Sequence, residues 1–301
     1  MAEKKYRVVT KKNVICLVLM LLFSCFFIFL FIRQIMPGQK KLVYVAAVKD
    51  VRNNCSEKIV KSEIWNLISK NDFIENRSTI RTSENSFVEL ALTSGARVTL
   101  GEISGCIAYY DKEYGFAIQL EDNTKVIINL LNCENSLIVT GSDFNKLMEV
   151  KPGSLIEFKY GESIDATAIK GEAMIYGKAL NEIKLSEKSS FEINSSGLVL
   201  RKAITVLSPV FEKDFSKMGA ELYPVEFSWI KNNDSVKKLR LEVYKDSYFV
   251  HPVLQEDVDA SVLKYTVKLD EGSYFWRILL PSEDKEKKMQ VLASDRFYIS
   301  R

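Results

Sequence analysis

Phe87-Val88-Glu89-Leu90-Ala91-Leu92-Thr93-Ser94-Gly95-Ala96-Arg97-Val98-Thr99-Leu100 alternates apolar and polar side chains on either side of a Ser-Gly pair. Successive side chains of a strand point to opposite faces, so Val88, Leu90 and Leu92 share one face, and Val98 and Leu100 resume it after the turn. Glycine takes the positive φ of a tight turn without steric penalty. Residues 87–100 therefore predict a β-hairpin with one buried face. The pattern continues outward. Further strands are expected over Ile107 to Tyr110, Phe116 to Leu120, Val126 to Leu131, Leu137 to Thr140, Leu155 to Tyr160, Thr167 to Ile169 and Ala173 to Tyr176, most of them bounded by Gly, Asn, Asp or Pro.

Two stretches read as candidate short helices. In Lys58 to Ser69 the apolar Ile64, Trp65, Leu67 and Ile68 fix no period, and in Ser142 to Val150 a Ser stands at a capping position. Beyond residue 205 the alternation returns in Val225, Phe227 and Trp229, in Leu239, Leu241 and Val243, in Tyr265, Val267 and Leu269, and in Tyr274, Trp276 and Ile278. Loops are expected at Asn232 to Asp234, Glu256 to Ala260 and Pro281 to Lys288, with a closing strand over Arg296 to Ser300. Strands at this spacing over about 100 residues suit a β-sandwich. The fold class is thus all-β, with a β-rich domain over residues 41–204 and a sandwich over 205–301.

The first forty residues read differently. Residues 1–13 carry a net charge of +4, and the next nineteen, Val14 to Ile32, contain no charged residue, Pro or Gly. A helix of that length is about 28 Å long, close to the ~30 Å of hydrocarbon in a bilayer. The reading is a single transmembrane helix over 14–32, a cytoplasmic basic stub before it and a linker over 33–40 after it. The basic residues are in excess on the amino-terminal side, which orients the remainder outward, into the periplasm or extracytoplasmic space. A cleaved signal peptide shares the basic start and apolar run, but this run is longer than the usual ~7 to 15 residues and lacks a small-x-small site. Leu22-Phe23-Ser24-Cys25 also fits a loose lipobox, which makes Cys25 a candidate acylation site; the alternative is a small apolar side chain in a helix.

The whole chain has 42 Lys and Arg against 39 Asp and Glu. Once the basic stub is set aside the rest is slightly acidic, which excludes a nucleic-acid-binding surface as a main function. There is one histidine, His251, beside Pro252, and it is expected in a surface loop. Cys55, Cys106 and Cys133 match no zinc spacing, and no nucleophile elbow, phosphate loop or dinucleotide fingerprint is present. No cofactor, metal or catalytic residue is assigned. Paired carboxylates at Glu102, Glu121-Asp122 or Glu256-Asp257 are the remaining route to a hydrolase, with solvated turns as the simpler explanation. The aromatic strand residues Tyr109, Tyr110, Phe116, Phe158 and Tyr160 are the candidate binding surface, a stacking face for glycan or a groove for peptide, in competition with core packing.

The stretch Ile80-Arg81-Thr82, then Ser86 to Leu92, Ser94-Gly95, Val98-Thr99-Leu100 and Ile103, resembles the FecR domain, which recurs as Ile/Val-x-Thr, a strand ending in a Gly turn and a second strand carrying Val-x-Leu. The likeness covers residues 64–107 and by extension 40–200. It implies an exported β domain on a single membrane helix; in the best-known members a cytoplasmic region binds a sigma factor and the periplasmic domain receives a signal from an outer-membrane transporter. Here the cytoplasmic part is about 13 residues, below the ~40 that is marginal for independent folding. Leu269-Asp270-Glu271-Gly272-Ser273-Tyr274-Phe275 is similar to the turn before the penultimate strand of fibronectin type III and immunoglobulin-like modules, with Tyr274 one place early and Phe275 where Tyr usually sits. The expectation is a membrane-anchored, non-catalytic binding or scaffolding module for an envelope protein or cell-wall polymer. The alternatives are a FecR-type signal transducer or a carboxylate-based wall hydrolase.

Overall fold

The computed structural model describes residues 20–28, 44–112, 115–143, 145–177, 180–194, 196, 198–209, 213–216, 222–281 and 289–300. The chain divides into two units, residues 1–43 and Tyr44–Arg301. In the first, residues 20–28 form a helix whose side chains, Phe23, Phe26 and Phe27 among them, are all exposed. Nine residues make about 13 Å of helix. No helix of the described residues is long and apolar enough to cross a membrane, and the rest of the span expected over 14–32, the stub and the linker lie outside the described residues.

The second unit is built of strands. The chain lays β1 (Tyr44–Arg52) in a first sheet, β2 (Cys55–Lys58) and β3 (Asn66–Leu67) in a second, β4 (Phe73–Glu75) in the first and β5 (Thr79–Thr82) in the second. It then alternates between them with β6 (Phe87–Leu92) and β7 (Arg97–Leu100), β8 (Gly105–Asp111) and β9 (Gly115–Leu120), β10 (Thr124–Asn129), β11 (Leu137–Thr140) and β12 (Lys146–Val150). The series ends with β13 (Leu155–Tyr160) and β14 (Ile164–Lys170), β15 (Ala173–Gly177) and β16 (Leu180–Leu185), and β17 (Ser189–Ile193) and β18 (Val199–Arg201). The two nine-stranded sheets run in the orders β18-β17-β14-β13-β10-β7-β6-β1-β4 and β16-β15-β12-β11-β9-β8-β5-β2-β3. Both grow away from the end formed by β3 and β4. All strand pairs within them are antiparallel except β9 with β11.

The hairpin at 87–100 forms as expected, with Leu90 opposite Val98, Val88 opposite Leu100, and Gly95 at φ 91°. Val88, Leu90, Val98 and Leu100 are fully buried and join Ile80, Ile118, Val126, Val139, Ile156 and others in one apolar core between the sheets. The two helices considered above are not formed. Lys146–Val150 is strand β12, with Met148 and Val150 turned inward. Lys58 ends β2 and the rest of the stretch is a loop with the two-residue β3; Ile64, Trp65 and Leu67 stay exposed and Ile68 alone reaches the core, so no buried face existed to impose a period.

A second apolar core, from Ile204 to Ile299, lies between a three-stranded sheet, β19 (Ile204–Ser208), β21 (Tyr223–Lys231) and β24 (Lys264–Leu269), and a five-stranded one. The latter is ordered β20 (Lys213–Ser216), β26 (Gln290–Ser300), β25 (Gly272–Leu280), β22 (Lys238–Tyr244) and β23 (Pro252–Asp259). Val225, Phe227, Trp229, Tyr274, Trp276 and Ile278 fill it, on the faces their alternation indicated. Glu256 to Asp259, expected as loop, belongs to edge strand β23; its acidic, exposed side chains are those of a strand bonded on one side only. Residues 282–288 of the expected charged loop lie outside the described residues.

Polar contacts join the two cores. Lys125 on β10 pairs with Asp295 on β26, and Arg296 Nη1 reaches Glu102 Oε2 at 2.8 Å and Asn85 Oδ1 at 3.0 Å. The Arg52 guanidinium lies 3.7 Å from the centre of the Tyr298 ring. Ser190 and Thr205 hydroxyls meet at 2.9 Å, and Asn232 Nδ2 donates to Thr205 Oγ1 and to the Lys202 carbonyl.

Candidate functional site

Strands β8, β9, β11 and β12 are neighbours in the second sheet. Cys106, Ala108, Ile118, Leu120, Leu137 and Val139 point into the core, so Ile107, Tyr109, Ala117, Gln119, Ile138 and Thr140 face the other way. Strand register sets Ile107 against Gln119 and Tyr109 against Ala117, with Ile138 and Thr140 on the far side of the same pairs. Residues on the outer face of a sandwich are ordinarily solvated. Here Ala117, Gln119, Ile138 and Thr140 are all buried. The turn after β11 folds back on them, and Gln119 Nε2 donates to the Ser142 carbonyl at 3.0 Å.

Between this floor and its rim lies a groove of about 700 Å³, within the ~300 to 1,000 Å³ usual for ligand sites. Val60, Arg77, Asp111, Asn145 and Lys146 complete its wall. The floor is neutral and mixes apolar surface from Ile107 and Ile138 with hydrogen-bonding groups from Tyr109, Gln119 and Thr140. Tyr109 and Thr140 hydroxyls are 3.4 Å apart. Gln119 Oε1 is buried and has no hydrogen-bond partner among the described residues, although a buried acceptor left unmade costs about 1 to 3 kcal/mol.

A second hollow of about 590 Å³ adjoins the first and shares Asn145 and Lys146 with it. Tyr160 and Tyr176 line it. Lys146 Nζ donates to Glu149 Oε2 at 2.8 Å and to the Tyr176 hydroxyl at 3.1 Å. Hydrogen bonds from Lys146 and Lys151 hold the Glu149 carboxyl down to about 2. Partial burial alone would lower the Lys146 pKa, but its bonds to Glu149 and Tyr176 raise it. The ammonium is thus a fixed cation on the wall between the two hollows.

Of the five aromatics read as a binding surface, Tyr109 lines the groove and Tyr160 the adjoining hollow. Tyr110 and Phe116 pack edge to face at 5.1 Å at the turn end of the β8–β9 hairpin. Phe158 is fully buried in the core and belongs to no surface, because it falls on the inward phase of β13 with Ile156. Gln119 was not singled out. Its strand alternates normally, and its burial comes from residues more than twenty positions away, which no local pattern announces.

The other candidates have structural partners. Glu121 accepts a bidentate pair from Arg81 at 2.7 and 2.9 Å, Glu102 is bound by Arg296, and Asp257 lies 3.6 Å from Arg240. His251 is exposed and its Nδ1 lies 3.1 Å from Asp246 Oδ2, which also accepts the His251 backbone N–H at 2.7 Å. Cys55, Cys106 and Cys133 are free thiols, and burial pushes Cys55 and Cys106 up to about 12. Cys25 lies exposed on the helix of residues 20–28. Among the described residues no three His, Cys, Asp or Glu side chains are grouped to hold a metal. No family model matches the chain, and no curated protein matches it.

Proposed function

We propose that the protein is a membrane-anchored, non-catalytic binding module of the cell envelope, with its strands outside the cytoplasmic membrane and a wall polymer as its ligand. The observation that carries the binding reading is the groove of about 700 Å³ whose neutral floor sets Tyr109, Gln119 and Thr140 beside Ile107 and Ile138. Its floor is the face of a sheet, whose backbone N–H and C=O groups are committed to their own ladders. Strand addition by a peptide needs a free edge, and this face offers only side chains. Neutral hydrogen bonders set beside apolar and aromatic surface suit a hydroxyl-rich, uncharged chain, such as a glycan.

The anchor reading rests on the uncharged run 14–32 and on the exposed apolar helix within it. The resemblance of the first body, the two nine-stranded sheets and the core between them, to the FecR domain is supported by the 87–100 hairpin. The resemblance of the second to fibronectin type III and immunoglobulin-like modules is supported by its three- and five-stranded sheets and by Tyr274, whose hydroxyl donates to the Asp270 carbonyl at 3.1 Å. That bond is the corner such modules make at the start of this strand.

The test is photo-crosslinking in cells from an unnatural residue at Asn145. Wall glycan should be captured, and Gln119→Leu should cut capture by about 5- to 160-fold, the equivalent of one buried hydrogen bond of about 1 to 3 kcal/mol. Capture unchanged by Gln119→Leu, or recovery of neither glycan nor envelope protein, rejects the reading.

A further inference from the structure

We propose that the end of the first body formed by β3 and β4 is a lipid-docking surface that rests on the bilayer interface. The inference depends on the anchor reading above. Both sheets terminate here, and the last strand of each carries outward apolar side chains, with Leu67 74% exposed on β3 and Phe73 63% exposed on β4. Ile64 at 67%, Trp65 and Val60 join them from the preceding loop, and the Tyr44 ring packs tilted against Phe73 at 5.4 Å between ring centres. A tight turn ties the two strands: Asp72 N–H donates to the Ser69 carbonyl, and Ser69 N–H donates to Asp72 Oδ2. Trp65 and Leu67 lie on the outer face of the second sheet with Ser56 and Arg81, and Tyr44 and Phe73 on the outer face of the first, so exposed apolar side chains flank this end of the sandwich on both sides.

Three features select a membrane over a second copy or a peptide. The edge strands are two and three residues long, so they offer little backbone for strand pairing. The composition is that of an interface, a Trp and aliphatics bordered by charged residues of both signs, whose long basic side chains keep their charge in water while their stems lie on apolar surface. The Arg81 guanidinium is 4.9 Å and the Lys58 ammonium 5.8 Å from the Trp65 ring centre, and Lys61 and Lys70 flank the apolar positions. Finally, the body begins at Tyr44, and Ile32, the last residue of the uncharged run, precedes it by twelve positions. A tether of that length spans at most about 40 Å, which keeps this end at high local concentration beside the lipid.

Residues 57–77 contain four basic and four acidic residues, so the docking is apolar rather than electrostatic and needs no anionic lipid. It should survive high salt.

The chain carries its own probe. Of its three tryptophans, Trp229 and Trp276 are buried in the second core and Trp65 alone is partly exposed. The full chain is reconstituted in phosphatidylcholine vesicles whose acyl chains are brominated near the headgroup. Emission from Trp65 should be quenched, the quenching should vanish in Trp65→Phe, and it should fall in Ile64→Ser/Leu67→Ser with the near-ultraviolet dichroism of the fold retained. Alkaline carbonate extraction of the same vesicles reports the anchor separately. A chain that resists extraction but shows unquenched Trp65 overturns the docking and leaves the anchor standing. A chain released by carbonate overturns both. Crosslinking between copies through position 67, with no quenching, assigns the patch to a second copy and also overturns the proposal.

Discussion

Replacing Asp295 with Asn should destabilise the protein by about 2 to 3 kcal/mol, and the loss should be specific to its pairing with Lys125. The Asp295 side chain is 8% exposed and that of Lys125 21%, so the pair is mostly withdrawn from water. Removing one partner of a buried pair costs about 3 to 5 kcal/mol because the other charge stays desolvated. Partial exposure and the nearby Glu157 carboxylate, which also favours the Lys125 charge, place this case at or below the lower end. For a unit of this size that corresponds to a fall in Tm of about 4 to 12 °C. Burial already lowers the Lys125 pKa, with Asp295 opposing the shift, so Asp295→Asn lowers it further. In that window the unfolded chain binds more protons than the folded one, so stability rises with pH. The variant should therefore recover part of its loss as pH climbs from the lowered folded value toward the usual 10.5. Urea unfolding of wild type, Asp295→Asn, Lys125→Met and the double variant closes a cycle. The double variant should lose at least about 1.5 kcal/mol less than the sum of the singles. Additivity within about 0.5 kcal/mol would refute the reasoning.

Tyr274→Phe keeps the buried ring and removes one hydrogen bond, so thermal unfolding should show a loss of about 1 kcal/mol; no change would mean water replaces the bond at no cost. Ile103 holds a φ of 49°, costly for a β-branched residue, and it is exposed, so Ile103→Asn should raise stability by about 1 kcal/mol in the same assay. At pH 8 a thiol reagent should modify Cys133 before Cys55 and Cys106, since burial raises the last two to about 12; equal rates at the three would contradict their burial. Glu149 has a folded pKa of about 2 against a usual 4.5, so its contribution is present above 4.5 and is lost as pH falls toward 2. The stability difference between wild type and Glu149→Gln should shrink over that window.

Where one face of a strand is buried and the other wetter, the strands were legible: Leu155–Tyr160 has the bounds its alternation indicates. The alternation also set the phase at the start of β25. Trp276 and Ile278 point inward, so Tyr274 and not Phe275 must, and Tyr274 is the residue that makes the corner bond. β1 escaped notice because a bulge between Val48 and Asp50 breaks its period. The strand reading of Glu256 to Asp259 was hidden by its acidic, edge-facing side chains. The groove was half legible. Tyr109 stood out as an aromatic on a strand, whereas the burial of Gln119, Ile138 and Thr140 arises from a turn folding back on the sheet face.

The order in which the two large sheets are laid down has a kinetic consequence. From β3 through β18, every strand pairs with at least one strand that precedes it in the chain. A polypeptide emerging head-first from a narrow conduit, ribosomal tunnel or translocon alike, thus meets a finished template at each step and can zip forward without waiting for its tail. Many of these pairings close loops of a few tens of residues, but each is closed against strands already in place, and the closure cost grows only slowly with loop length.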